Sequence, residues 1–202
     1  MTTRTPFSSS TPRTAVLTLA AALVAAAASP SATAQAQAQL VAAQSEIAFT
    51  SRQMGVPVDG RFRRFDAQVA FDPKKPDTAK IALGIDLASA SLGAAETEAE
   101  LAKPDWFNTK AFPRATFQSS TVKPDGAGKL TVAGRLSIKG IGQDVVVPVT
   151  LAQSGATTTA SGSFAIKRLD FKIGDGDWKD TSMVANDVQV RFKLVLTGVA
   201  PL

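Results

Sequence analysis

The chain has no cysteine, no histidine and no tyrosine, and it carries only two tryptophans and three methionines. Each absence removes a class of mechanism. Without cysteine an exported fold has no disulfide staples and rests on burial alone. A lipid-modified N-terminal cysteine is excluded for the same reason. Without histidine the commonest general base and metal ligand are gone. An ordinary zinc site and a Ser-His-Asp triad go with them. An enzyme built from this chain would have to run on carboxylates, lysine, serine or a bound cofactor. Charge of one sign is also scarce, with 22 Lys and Arg against 17 Asp and Glu. The basic residues are scattered and form no run, so nucleic acid is not an expected partner.

Long hydrophobic runs are missing too. The stretch Ala15 to Ala28 is apolar but too short for a stable span, which needs about 20 residues. Arg4 and Arg13 precede it, and small-residue A-x-A sites follow at Ala32–Ala34, Ala34–Ala36 and Ala36–Ala38. This layout predicts a secretory signal peptide over residues 1–34, cut near 34–38, with no integral membrane anchor afterwards. The expected location is the periplasm, or outside the cell. Removing residues 1–34 takes two of the 22 basic residues and none of the 17 acidic ones, so the net charge falls from +5 to +3. Residues 35–43, rich in Ala and Gln, read as a linker, and 44–202 as one domain large enough for its own core.

What is present is period-two alternation separated by turn chemistry. "SEIAFTS" puts Ile47 and Phe49 on one face. "KIALGIDLAS" does the same with Ile81, Leu83, Ile85 and Leu87, and "LTVAGRLSI" with Leu130, Val132, Leu136 and Ile138. "GSFAIKRLDF" carries Phe164 and Ile166, while "DVQVRFKLVLTGV" sets Val190, Phe192 and Leu194 against Gln189, Arg191 and Lys193. Helical character is confined to about 95–107, where Glu96, Glu98 and Glu100 suit a helix start and Pro104 a stop. The sum is an all-β fold: about eight short antiparallel strands closing into a barrel. An outer-membrane barrel needs aromatic girdles, which two Trp and no Tyr do not supply. One strand breaks phase: Phe65, Val69 and Phe71 keep step, but Phe62 is out by one. A bulge near Arg63–Arg64 lets both Phe62 and Phe65 face inwards.

The polar clusters are weak as chemistry. "IGDGDWKD" groups Asp175, Asp177 and Asp180, but an EF-hand wants Asp or Asn where Lys179 stands and Glu where Asn186 stands. A polar turn is the better account. Glu96, Glu98 and Glu100 are two apart and do not share a helix face. No serine or lysine is oriented as a nucleophile by anything in its neighbourhood. No catalytic residue and no metal site are expected.

Taken in order, "SEIAFTSRQMGVPVDGRFRRFDAQVAFDP", "IDLASASLGAAETEAELAKPDWFNTKAFPRATFQSSTV", "LTVAGRLSIKGIGQDVVVPVTL" and "FAIKRLDFKIG" resemble the successive segments of the YceI family of exported, lipocalin-like proteins. The resemblance covers nearly all of the chain after residue 44, and it is the order of the segments that makes it specific. It implies an eight-stranded lipocalin-like barrel with a helical lid region and an apolar tunnel for a long isoprenoid or similar amphiphile. One departure is Gln53 in "RQMG", where many members have histidine.

The expected function is therefore an exported binding or carrier protein for a polyisoprenoid lipid of quinone or polyprenyl type, held as a ligand with no cofactor, and not an enzyme. Two alternatives stand beside it: an enzyme acting on a lipid in the same cavity, and a structural β domain with a filled core. The expected tunnel wall is Phe49, Phe65, Ile81, Leu83, Ile85, Phe117, Leu136, Phe164 and Phe192, with Phe62, Trp106, Phe107, Phe171 and Trp178 at the rim. Asn108, Arg168 and Asp170 are head-group candidates; as strand neighbours two apart, Arg168 and Asp170 would share a face and could pair. Gly60, Gly134 and Gly162 are expected to leave room inside. A strand of eight residues spans roughly 26 Å, enough for an extended tail. Transient contact with a membrane and homodimer formation are left open by the sequence.

Overall fold

Residues 37–202 are described by a computed structural model of the chain; the expected signal peptide, residues 1–34, lies outside them. Eleven strand segments follow one another: β1 (Gln37–Leu40), β2 (Glu46–Gln53), β3 (Val56–Phe62), β4 (Phe65–Ala70), β5 (Lys80–Asp86) and β6 (Ala90–Ser91), then β7 (Arg114–Pro124), β8 (Lys129–Ile138), β9 (Ile141–Ser154), β10 (Thr157–Lys167) and β11 (Asp187–Thr197). Hydrogen bonding runs β1-β4-β5-β7-β8-β9-β10-β11 and returns from β11 to β1. This closes an antiparallel barrel of eight strands. At one end β2, β3 and β6 extend the wall from β11.

Two chain breaks turn eight expected strands into more segments. The first corrects the linker over 35–43. Gln37–Leu40 is a strand that pairs with both β4 and β11 and so closes the ring. Its Ala38 is buried opposite Val69. The alternation Gln-Ala-Gln-Leu was there in the sequence, disguised by a composition that suits a linker. A 3-10 turn at Ala42–Gln44 then re-aims the chain into β2. The second break falls at Arg63–Arg64, where a bulge was expected. Here β3 ends at Phe62 and β4 starts at Phe65. Pairing switches with it, from β2 and β6 to β1 and β5. Ser89 takes up the freed backbone: its carbonyl accepts from Arg63 N and its Oγ from Arg64 N.

Inside, three glycines make way for phenylalanines on the strand alongside. A Cβ at Gly60 would lie 2.3 Å from the Phe49 ring, one at Gly134 2.5 Å from Phe117, and one at Gly162 2.7 Å from Phe192. The room expected at these glycines is thus filled by rings that come up against bare backbone. Outside, cross-strand ion pairs such as Arg135–Asp144 and Lys167–Asp187 line the solvent face. Each is exposed and worth little, about 0–1 kcal/mol.

The barrel is not equally tight all round. The β10–β11 ladder runs unbroken from Thr157↔Thr197 to Lys167↔Asp187. The β9–β10 ladder stops at Ser161↔Thr150, two residues short of Pro148, whose ring nitrogen has no hydrogen to donate. Beyond that point the two strands make no further ladder pairs. The helix is shorter than the expected 95–107: α1 covers Ala95–Leu101. Pro104 disfavours helix at the residue before it and removes a donor, so the chain turns early and Phe107 N donates to Leu101 O.

Candidate functional site

Two adjoining chambers occupy the barrel interior. The lower one, about 120 Å³, is walled by strand residues from both sides of the ring, among them Ile81, Leu83, Phe117, Val149, Phe192 and Leu196, with Thr158 as the sole polar side chain among the described residues. Thr158 is fully buried, and its hydroxyl accepts from Gln153 Nε2. The upper chamber, about 240 Å³, lies under α1 and the loops that follow it and β10. Ile47, Ile85, Leu136, Phe164 and Val190 border both, so the chambers continue one another along the barrel. Together they fall at the low end of the roughly 300–1,000 Å³ of small-molecule sites.

The upper chamber has a roof of loops held by two cationic side chains, one of them buried. Arg168 is 2 % exposed and has no acidic partner among the described residues. Its Nε donates to Ala185 O, Nη1 to the carbonyls of Ile173 and Gly174, and Nη2 to those of Trp178 and Val184, at 2.6–3.1 Å. All five N–H donors of the guanidinium are used. Burial pulls its pKa below the ordinary arginine value, yet an arginine stays charged. Lys139 performs a similar task from the β8–β9 turn, where Lys139 and Gly140 both have positive φ. That conformation suits Asn-Gly better than lysine. The Lys139 ammonium donates to Pro104 O at 2.6 Å and Lys172 O at 2.7 Å, tying both roof loops to the rim. Burial holds it below the usual lysine value of 10.5, against the carboxylates of Asp175 and Asp105.

The sequence-predicted residues divide cleanly. Phe49, Phe62, Ile85, Trp106, Phe107, Leu136, Phe164 and Trp178 border the upper chamber. Ile81, Leu83, Phe117 and Phe192 border the lower one, with Ile85, Leu136 and Phe164 shared. Phe62 packs against Phe49 and Phe107, with ring centroids 5.4 and 6.1 Å apart. Phe65 borders neither chamber; after the break at Arg63–Arg64 it packs, partly buried, against a smaller cluster of Ile47, Ala160 and Leu194. Phe171 is core and not rim, 2 % exposed.

All three head-group candidates sit in turns. The chain leaves β10 at Lys167, and Arg168–Phe171 forms a 3-10 turn, so Arg168 and Asp170 do not share a strand face and form no ion pair. Arg168 reaches the chamber wall with every donor already spent. Asp170 is exposed, and its carbonyl accepts from Gln143 Nε2. Asn108 is a turn residue with φ 50°, its carbonyl accepting from the N–H groups of Ala111 and Phe112. The Asp-rich loop is likewise occupied by local bonds, Asp175 with Lys179 Nζ and Asp180 with the Ser182 N–H and hydroxyl.

Sequence reasoning missed the contribution of the roof. Leu92, Leu101, Ile173 and Val184 also border the upper chamber. Leu101 had a signal, as the lone large apolar residue of an acidic helix; Val184 had none. Beside Val184, Met183 is 41 % exposed, and the β2–β3 hairpin brings Met54 and Val56 to 70 % and 64 %. Met54 N donates to Met183 O, so the hairpin tip and this loop form one apolar edge near the upper chamber.

Known proteins share this architecture. BcnA of Burkholderia cenocepacia is 46 % identical, with a TM-score of 0.76 over 78 % of this chain and 99 % of its own. A polyisoprenoid-binding domain from Saccharophagus degradans, implicated in plant cell wall breakdown, is 18 % identical and matches in fold, with a TM-score of 0.65 over 80 % of this chain and 98 % of that domain. A Shewanella denitrificans UPF0312 protein is 33 % identical over 166 residues, 78 % of this chain and 83 % of its own length. A Photorhabdus laumondii relative, also 33 % identical, is spanned over 65 % of its length. Residues 39–196 match the YceI-like domain, and with a closed barrel around an apolar interior the chain belongs to that family.

Proposed function

We propose that this protein is an exported carrier that holds the long apolar tail of a polyisoprenoid-type amphiphile in its barrel, with the polar end beneath the roof loops. The observation that carries the reading is the pair of adjoining apolar chambers left unfilled at the centre of a closed sheet. A solid core packs to crystal-like density with few voids larger than a water molecule, so this interior is built differently. Each buried CH₂ of a tail contributes about 0.8 kcal/mol, and affinity needs no charged contact. The Saccharophagus domain, named for polyisoprenoid binding, supports the ligand class. A tail longer than the chambers needs the roof end to yield, and there closure depends on loops.

Export to the periplasm or beyond rests on the signal-peptide pattern of residues 1–38. Loading from a membrane through transient contact is supported by the exposed apolar edge of Met54, Val56 and Met183. Binding without catalysis is supported by the wall chemistry: its carboxylate, Glu100, is paired with Lys103 at 2.5 Å. The test is native mass spectrometry and organic extraction of protein purified from its own host. A co-purifying isoprenoid is the expected result. Lipid-free protein that also refuses added quinone and polyprenol would overturn the reading.

A further inference from the structure

Cations that look scattered along the sequence are gathered by the fold. Strands β11, β2 and β3 pair side by side, and Ile47, Phe49, Val58, Val190 and Phe192 on them border the chambers. The residues between these face outwards. That outer face carries Arg52, Arg61, Arg191 and Lys193, and the chain break after β3 adds Arg63 and Arg64; all six are exposed. Arg61 and Arg191 lie in register on either side of Ala48, so no acid stands between them. Four carboxylates are near. Asp59 pairs with Arg191, Asp86 with Arg64 and Glu98 with Arg63, and Glu46 lies opposite Lys193 in register. Arg61 and Lys193 have no ion-pair partner among the described residues. Both line an open groove of about 630 Å³ with Arg63, Arg64 and Glu46. The same sheet ends in the β2–β3 hairpin. There Met54 takes φ 48°, a conformation that favours Asn or Gly, and gains no burial within its own chain.

We infer that the outer face of β11, β2 and β3 docks on an anionic bilayer, with Arg61, Lys193 and the neighbouring arginines against the lipid phosphates. Across Ala48 the cations are two strand spacings apart, roughly 10 Å. A single phosphate wants donors that converge on it, whereas a charged bilayer attracts each Lys or Arg that comes within a Debye length of it. A broad array suits the second. The exposed pairs with Asp59, Asp86 and Glu98 are weak, so those arginines can turn to lipid. The hairpin tip supplies the apolar part of the contact. The inference rests on the membrane contact of the carrier reading and adds the surface that makes it and the charge of the membrane it meets.

The test is co-sedimentation of the purified, lipid-stripped protein with vesicles of phosphatidylcholine alone or mixed equally with phosphatidylglycerol. The wild type should bind the mixed vesicles about tenfold tighter, and that preference should fade as salt shortens the Debye length from about 10 Å to about 3 Å. The double variant Arg61→Gln, Lys193→Gln should lose about tenfold on mixed vesicles and nothing on neutral ones. Lys123→Gln with Lys129→Gln removes the same charge from the exposed β7–β8 hairpin and should bind as the wild type does. Equal binding to both vesicles, indifference to salt, or an equal loss in the hairpin variant overturns the inference. Displacement by inorganic phosphate at constant ionic strength makes the groove a small-anion pocket, and a dimer lost in Arg61→Gln, Lys193→Gln makes the face an interface between copies; either overturns it. The wild-type lipid and salt comparisons decide the matter even if a variant does not fold. Protein that refuses both vesicles yet binds free polyprenol overturns the docking and spares the carrier reading, whereas vesicle binding without polyprenol uptake does the reverse.

Discussion

The two ends of the barrel interior are closed by different physics. Around the lower chamber every wall residue but Phe71 and Val199 lies in a strand, the side chains are apolar, and the one polar group among the described residues, Thr158, is paired with Gln153. Around the upper chamber strands share the wall with α1 and the roof loops, and those loops are fastened by one guanidinium and one ammonium that reach only backbone carbonyls. Ladder hydrogen bonds over a buried core open only with global unfolding, whereas loops held by a few side chains open locally. The lower end is therefore a fixed sleeve and the upper end the part that can yield to admit a ligand.

The largest expected effect separates these ends. Arg168→Leu strands five carbonyls, three of them buried, and should cost about 3–5 kcal/mol, read as a lowered urea midpoint. Arg168→Lys, with three donors on a flexible stem, should recover only part of it. Thr158→Val at the sleeve end removes one hydrogen bond and should cost about 1 kcal/mol. Hydrogen exchange sharpens the contrast: Arg168→Leu should expose amides of 178–185 while the β10–β11 ladder stays protected.

A second comparison concerns the Phe–Gly contacts. A Cβ at Gly162 would come within 2.2 Å of the Pro148 carbonyl oxygen, which is backbone and cannot swing away. Gly162→Ala should therefore cost about 2 kcal/mol. At Gly60 the obstructing atoms belong to Phe49 and Leu92 side chains, so Gly60→Ala should cost less. Equal losses in thermal or urea unfolding would count against the sleeve being the stiffer end.

The smallest effect is acidic loosening of the roof. Hydrogen bonds from Ser182, side chain first and then backbone, hold the Asp180 carboxylate below its ordinary 3.8. A depressed folded-state value means stability that is present above 3.8 and lost as pH falls through the lower folded value. Protection of the Met183 and Val184 amides, whose N–H groups donate to Asp180 O, should weaken over that acid range, and Asp180→Asn should remove the dependence.

The sleeve was legible from sequence because its rule is simple: period-two alternation with one apolar face. Ile81, Leu83, Phe117, Leu136 and Phe192 all follow it. Composition concealed β1, since Ala and Gln are poor strand formers and the segment is a strand only because β4 and β11 offer it two open edges. The roof was opaque for a different reason. Arg168 follows Ile166 at strand spacing, yet the chain has already turned, and its partners are main-chain carbonyls that no side-chain pattern encodes. Phe65 failed similarly: a bulge keeps a residue in its strand, whereas a full break changes its neighbours.

The central claim, one apolar interior running through both chambers, is tested most directly by ligand length. Affinity for isoprenoid alcohols of increasing length should rise by about 0.8 kcal/mol per CH₂ buried and then level off once the interior is full. Leu136→Trp, placed where the two chambers meet, should make that plateau arrive at a shorter chain while leaving short alcohols bound as before. Affinity that ignores chain length, or a plateau that Leu136→Trp does not move, would contradict a continuous tunnel.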